Sequence, residues 1–175
     1  ASIYFDMGRQ TKATPILERV LHHRPRDPNI RSRLAVCYLM ADRLREAERL
    51  VKDLQRESPN QAELSFLMGM INLKKGKPKN ALKELQKAGK LNPRHAMAHY
   101  FIGEIYFGQK KWKHALAAYQ RSADANPRDA DPYAKICLCC LALNKPAQAI
   151  AALQRALQID PQNQIAIQIA AELIE

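Results

Sequence analysis

The sequence has little glycine, few aromatic residues and no long apolar run. Of its 175 residues, 6 are glycine, 1 is tryptophan and 6% are aromatic, whereas 47% are hydrophobic. This composition is typical of a helical core and excludes a chain that is disordered throughout. The longest apolar run, 136–143, is too short to cross a bilayer, since a spanning helix needs about 20 apolar residues.

Acidic residues are also scarce, because 17 Asp and Glu oppose 28 Lys and Arg and give a formal net charge of +11. Such an excess favours an acidic partner or an anionic surface without choosing between them. The spacing of Cys37, Cys137, Cys139 and Cys140 is not that of a secreted disulfide framework. We therefore expect a cytoplasmic protein, although targeting stays open because Ala1 falls inside a predicted repeat and the N-terminus looks truncated.

Motifs that would indicate catalysis are missing from the sequence. It has no glycine-rich phosphate loop, no nucleophile elbow and no pair of carboxylates at catalytic spacing. Cys137 and Cys140 are three residues apart, and His95 and His99 are four apart, but neither pair has the further ligands that a metal site needs. We expect no enzyme activity, no metal and no cofactor.

The sequence does contain a regular period, in which a proline and an alanine each recur every 34 residues. Each period holds two runs with apolar residues at helical spacing, separated by a polar turn such as 109–111, and a proline ends the second run. Two amphipathic helices per period are therefore predicted. The recurring prolines are Pro25, Pro59, Pro93, Pro127 and Pro161, and the recurring alanines are Ala13, Ala47, Ala81, Ala115 and Ala149. Ala115 is expected where the two helices of its pair approach most closely.

This pattern resembles the tetratricopeptide repeat, whose signature has small, large and proline residues at set positions of a unit of roughly 34 residues. Asn72 and Cys140 depart from it, since the family has tyrosine there. The resemblance implies an all-α, right-handed superhelical solenoid of antiparallel helix pairs with about eleven helices. It divides a single domain, 1–175, into repeats 1–27 (partial), 28–61, 62–95, 96–129, 130–163 and 164–175 (partial). Matching residues include Leu34, Ala35, Tyr38, Ala47, Val51, Leu54 and Pro59, then Met68, Gly69, Ala81, Leu85, Ala88 and Pro93, and then Tyr133, Ile136, Cys137, Ala149, Leu153, Ala156 and Pro161.

A second apolar stripe runs along the first helix of each repeat, beside the stripe that the fold requires. These residues could pack between neighbouring first helices, but Phe66, Tyr100 and Phe107 are large for such contacts, and protein-binding surfaces are rich in aromatic residues and Met. We expect a concave groove that binds an apolar or amphipathic segment of another protein, so that the chain acts as a non-enzymatic scaffold or adaptor. The predicted groove residues are Phe5, Val36, Leu39, Phe66, Met70, Leu73, Met97, Tyr100, Glu104, Phe107, Leu138 and Leu141.

Some members of this family grip acidic chaperone tails with lysine and asparagine, but the corresponding positions here, such as Phe66 and Met70, cannot form that clamp. A row of cations instead follows the turns within the repeats. It is expected to face water, and the alternative is binding of nucleic acid or another polyanion along this edge. A further alternative, for the chain as a whole, is that it is the docking arm of a larger enzyme. The basic edge consists of Arg43, Arg45, Lys74, Lys75, Lys77, Lys79, Lys110, Lys111, Lys113 and Lys145.

Self-association through the two incomplete ends is a further expectation. The last predicted helix carries Ile165, Ile167, Ile169 and Leu173 without a second helix to cover them all. On this interpretation Ile169→Glu should favour the monomer.

Overall fold

The computed structural model describes the backbone of residues 7–173 and the side chains of residues 13–173. The described residues form ten α-helices and no strand. The predicted all-α fold is therefore confirmed, and an eleventh helix before Met7 would lie outside the described residues. The helices are α1 (Met7–His23), α2 (Pro28–Met40), α3 (Leu44–Glu57), α4 (Ala62–Lys74), α5 (Pro78–Leu91), α6 (Ala96–Gly108), α7 (Trp112–Ala125), α8 (Ala130–Ala142), α9 (Pro146–Ile159) and α10 (Gln164–Glu172).

The helices belong to two compact units, residues 1–91 (the first unit) and 92–175 (the second unit). In the first unit α2 pairs with α3 and α4 with α5, while α1 packs on α2, and α4 packs on α2 and α3. In the second unit α6 pairs with α7 and α8 with α9, and α10 packs on both α8 and α9. None of the helices within residues 7–173 is long and apolar enough to cross a bilayer.

The turn inside each complete helix pair has one backbone conformation, which recurs from repeat to repeat. Asp42, Gly76, Lys110 and Asn144 have φ of 59°, 67°, 57° and 56°, the left-handed conformation that closes a helix. The amide of the following residue donates to a carbonyl in the last turns of the first helix, as in Lys111 N to Tyr106 O at 2.9 Å. Only one of these four residues is glycine, so three turns contain a side chain in a conformation that L-residues disfavour.

The two helices of a pair meet through small residues. Ala47, Ala81, Ala115 and Ala149 are fully buried, as expected for residues at the helix crossing. Gly69 and Gly103 continue the close approach: a methyl group on Gly103 would lie 2.5 Å from Tyr119 Cε1, and one on Gly69 would lie 2.7 Å from Leu85 Cγ. The glycine at 103 therefore makes room for the largest fully buried side chain, Tyr119.

Caps at the starts of α2, α8 and α10 use short polar side chains. Asp27 precedes Pro28, and its carboxylate accepts hydrogen bonds from the amides of Asn29 at 2.9 Å and Ile30 at 3.2 Å. Asn163 caps α10 by accepting from Ala166 N at 2.9 Å.

The four cysteines lie in the cores of the two units as free thiols. Burial raises the pKa of Cys137 to about 11 and that of Cys139 to about 12, so both stay protonated at neutral pH. Among the described residues no three His, Cys, Asp or Glu side chains are grouped so as to hold a metal ion. These thiols therefore act as small apolar side chains in the packing.

Candidate protein-binding site

The first unit exposes less of its predicted groove than the sequence indicates. Val36, Met70 and Leu73 are half-buried, but Leu39 and Phe66 are only 4% and 3% exposed, so assigning these two residues to an open groove is wrong. Leu39 packs in the core cluster of this unit. Phe66 lies on α4, which is buried on several sides because it contacts α2, α3 and α5. Phe5 lies outside the described residues.

The second unit leaves all of its predicted groove residues partly exposed. They are Met97, Tyr100, Glu104 and Phe107 on α6, and Leu138 and Leu141 on α8, and each is half-buried. Tyr100, Glu104 and Phe107 follow one another at intervals of four and three residues, which places them on one face of α6.

An aromatic cluster holds this face of α6 in place. Tyr119, from α7, is fully buried, and its ring centroid lies 5.6 Å from that of Tyr100 and 6.5 Å from that of Phe107. Trp112, at the start of α7, makes an edge contact with Phe107 at 5.0 Å between centroids. Such separations are those of favourable aromatic pairs. The two half-exposed rings, Tyr100 and Phe107, are thus supported from below by a buried one.

A polar network joins the aromatic cluster to the next repeat. The Tyr119 hydroxyl donates to Glu104 Oε1, and Lys135 Nζ on α8 lies 2.9 Å from the same oxygen. The Lys135 ammonium also lies 5.4 Å from the centre of the Phe107 ring, within the range of a cation–π contact. Burial, followed by the bond to Glu104, raises the pKa of Tyr119 well above its ordinary value, so its hydroxyl remains a donor.

Tyr100, Glu104, Phe107 and Lys135 together form what we call the aromatic patch. Its two rings offer apolar area, while Glu104 and Lys135 offer a charge pair whose hydrogen-bonding capacity is only partly used. A surface that combines aromatic rings with a few polar groups suits an amphipathic protein segment.

Comparison with known families identifies the repeat. Three sequence models, each described as a tetratricopeptide repeat, match residues 4–71, 66–134 and 130–163. The chain belongs to the tetratricopeptide repeat family. Membership of this family supports a role as a protein-interaction scaffold, as the sequence predicted. No match was found among curated protein sequences.

Solved tetratricopeptide repeat structures share the fold. The chain is similar to MamA, with 22% identity over 89% of this chain and 91% of that one and a TM-score of 0.75. It is similar to TTC0263 of Thermus thermophilus, with 21% identity over 98% and 94% of the two chains and a TM-score of 0.76. YrrB, described as a tetratricopeptide repeat protein with an unusual peptide-binding site, shares 19% identity over 94% and 84%, with a TM-score of 0.70. At these identities the likeness establishes the fold.

The basic edge of the tetratricopeptide repeats differs between the units. In the first unit Arg43 pairs with Glu18 at 3.0 Å and Glu46 at 2.9 Å, Lys74 pairs with Asp42 at 3.2 Å, and the half-buried Lys75 pairs with Glu48. The exposed cations Arg45, Lys77 and Lys79 of the same unit, like Lys110, Lys111, Lys113 and Lys145 of the second, have no acidic partner within residues 13–173. Polyanion binding along this edge stays a prediction.

The last helix, α10, buries one of its four predicted apolar residues and leaves others open. Ile169 is 4% exposed and packs in the core of the second unit, whereas Ile167 and Leu173 are 44% and 49% exposed. Ile169→Glu would therefore bury a charge in the core and would not probe an exposed surface. The prediction that this substitution favours the monomer is wrong. Because α10 packs on α8 and α9 through Ala166 and Ile169, the open side of the helix is the one that carries Ile167.

Sequence reasoning missed the part that Lys135 plays in the site. It assigned Glu104 to the groove, but it did not connect Glu104 to a lysine of the following repeat. A signal was available, because Lys135 is a charged residue between the core residues Ala134 and Cys137 on α8. A lysine at such a position needs a nearby anionic partner.

Proposed function

We propose that the chain is a non-enzymatic scaffold whose aromatic patch binds an apolar or amphipathic segment of a partner protein. One observation carries the proposal: Tyr100 and Phe107 stay half-exposed although both rest on the fully buried ring of Tyr119. Exposed aromatic rings that are already fixed in place bind at a low entropic cost, because little side-chain freedom remains to be lost.

The polar network favours a segment with both apolar and polar residues. Glu104 is held by Tyr119 and Lys135, and its side chain is still 35% exposed. A purely apolar ligand would bury this carboxylate without replacing the hydrogen bonds that it receives from water, and this loss costs free energy. A ligand that places a hydrogen-bond donor beside Glu104 avoids this cost. YrrB, with its peptide-binding site on the same fold, is consistent with such a use of the repeats.

A peptide selection with matched variants tests the proposal. Peptides selected from a library on the wild-type chain should be amphipathic and should bind the Tyr100→Ala/Phe107→Ala variant at least about tenfold more weakly, since truncating central aromatic residues removes roughly 2 kcal/mol or more. The control variant, Ile150→Ala, removes a large apolar side chain from an exposed position of the same unit and should bind as wild type does. Equal affinities for wild type and the Tyr100→Ala/Phe107→Ala variant would rule out the patch as the binding surface.

Self-association is a second candidate, favoured by the exposure of Ile167 and Leu173 on α10. Ile167→Glu places a charge on the open side of this helix and should shift any oligomer towards the monomer without disturbing the core. Light scattering over a concentration series measures this shift. A wild-type chain that is monomeric at every concentration would exclude self-association. The cytoplasmic location and the docking-arm alternative stay predictions.

A further inference from the structure

The second helices of the first unit carry rows of cations on their outer faces. On α5 the lysines are spaced by four, four and three residues, and on α3 the cations are spaced by four, three and four, so each set lies on one helix face. All eight side chains are exposed, while the opposite faces bury Leu85 and Val51. The rows are Lys79, Lys83, Lys87 and Lys90 on α5, and Arg45, Arg49, Lys52 and Arg56 on α3.

The two rows are aligned by the repeat. Arg45 and Lys79 occupy the same position of successive repeats, as do Arg49 and Lys83, and both helices pack on α4. Repeats stack equivalent positions side by side. The second unit lacks this pattern, so folding does not require it. Its residues at the positions of Lys79, Lys83, Lys87 and Lys90 are Lys113, Ala117, Arg121 and Asp124 on α7, and Ala147, Ala151, Arg155 and Gln158 on α9, so neither helix carries the full row.

The lysine row on α5 is not neutralised by any residue whose side chain the structure describes. On α3, Lys52 pairs with Glu48 at 2.8 Å and Arg56 with Asp53 at 3.3 Å. On α5, none of the four lysines has an acidic partner within residues 13–173, and the one acid of the helix, Glu84, has its Oε2 buried. Like charges one turn apart destabilise a helix. A row that costs helix stability and is not needed for packing indicates an external anion.

We propose that the outer faces of α3 and α5 form a docking surface for an acidic helical segment of a partner protein. The α5 row spans about 16 Å, and its lysines are about 6 Å apart, which is the spacing of acidic residues one turn apart on a second helix. The outer faces of α3 and α5 carry no aromatic ring on which a nucleic-acid base could stack. Flexible lysines provide unpaired positive charge that complements a row of carboxylates.

The test uses a fluorescein-labelled helical peptide with Glu at every third or fourth position, its Gln analogue and a labelled DNA duplex. Wild type should bind the Glu peptide at low salt and not the Gln peptide, and should bind the duplex more weakly. Lys83→Glu/Lys87→Glu should weaken Glu-peptide binding by roughly tenfold or more, because two contacts become repulsive. The control, Lys110→Glu/Lys113→Glu, makes the same change in net charge at exposed lysines of the second unit and should change the affinity by less than about threefold.

Three results would overturn the proposal: no binding of the Glu peptide by wild type, an equal loss in both charge-reversal variants, or tighter binding of the duplex than of the peptide. An equal loss in both charge-reversal variants would mean that net charge alone causes the binding. Tighter binding of the duplex would mean that the surface suits nucleic acid. If circular dichroism shows that Lys83→Glu/Lys87→Glu unfolds, Lys83→Gln/Lys87→Gln serves in its place. The Tyr100→Ala/Phe107→Ala variant should bind the Glu peptide as wild type does, so this site and the aromatic patch can fail independently.

Discussion

The two units build the same helix pairs but present different surfaces. The first unit has nineteen Lys and Arg against ten Asp and Glu and buries Phe66, whereas the second has nine against seven and keeps Tyr100 and Phe107 half-exposed. In both units the inner positions keep small and apolar residues in the same places. Packing therefore constrains the inner face of each repeat, and the outer positions are free to acquire different binding chemistry.

The largest expected effect tests whether the inner face is as tightly packed as this comparison requires. Ala115→Leu adds three carbon atoms at a fully buried position between α6 and α7 and should lower the free energy of unfolding by about 3 kcal/mol. Ala117→Leu, at an exposed position of the same helix, is the control and should be nearly neutral. Urea denaturation measures both, and similar midpoints would mean that Ala115 is not at the crossing.

A smaller difference should separate the glycines of the two units. Gly103→Ala would force the rigid ring of Tyr119 aside and disturb its bond to Glu104, at a cost of about 2 kcal/mol after the gain in helix propensity. Gly69→Ala meets the more flexible side chain of Leu85 and should cost about 1 kcal/mol. Thermal or chemical denaturation would compare them. If Gly69→Ala proved the more damaging, the ring in the second unit would not be the tighter contact.

Reciprocal substitutions in the turns should act in opposite directions. Lys110→Gly relieves a side chain held at φ 57° and should stabilise the second unit by about 0.5–1 kcal/mol, while Gly76→Lys should destabilise the first unit by about 1 kcal/mol. Midpoints of urea unfolding report both changes. Changes of the same sign would show that the left-handed turn conformation does not determine how substitutions at these positions change the stability.

The smallest effect concerns Glu48 of the first unit, which pairs with both Lys52 and Lys75. Lys52 and Lys75 lower the pKa of Glu48 from 4.5 to about 2, so the pair stabilises the fold above pH 4.5 and loses this contribution as the pH falls towards 2. Because the side chains are partly exposed, Glu48→Gln should cost no more than about 1 kcal/mol at pH 7. The difference from wild type should disappear near pH 2. A constant difference across this range would assign the effect to packing instead of charge.

Much of the fold could be predicted from the sequence because the repeat fixes local chemistry at a regular spacing. The starts of α4 and α6 at Ala62 and Ala96 follow from that period, and the cap at Asp27 follows from its neighbour Pro28. The burial of Phe66 could not be predicted, because a position within a helix does not say how many other helices pack around it. The position of Lys135 between core residues indicates that it needs an anionic partner, but it does not indicate that this partner is Glu104, which belongs to another repeat.

The most direct test of the central claim is to map a bound peptide on the wild-type chain by NMR. With an amphipathic peptide selected on the wild-type chain, we expect the largest chemical-shift changes at Tyr100, Glu104, Phe107 and Lys135, and small changes at the half-buried residues Val36, Met70 and Leu73 of the first unit. Changes concentrated in the first unit, with the four residues of the aromatic patch unaffected, would contradict the account.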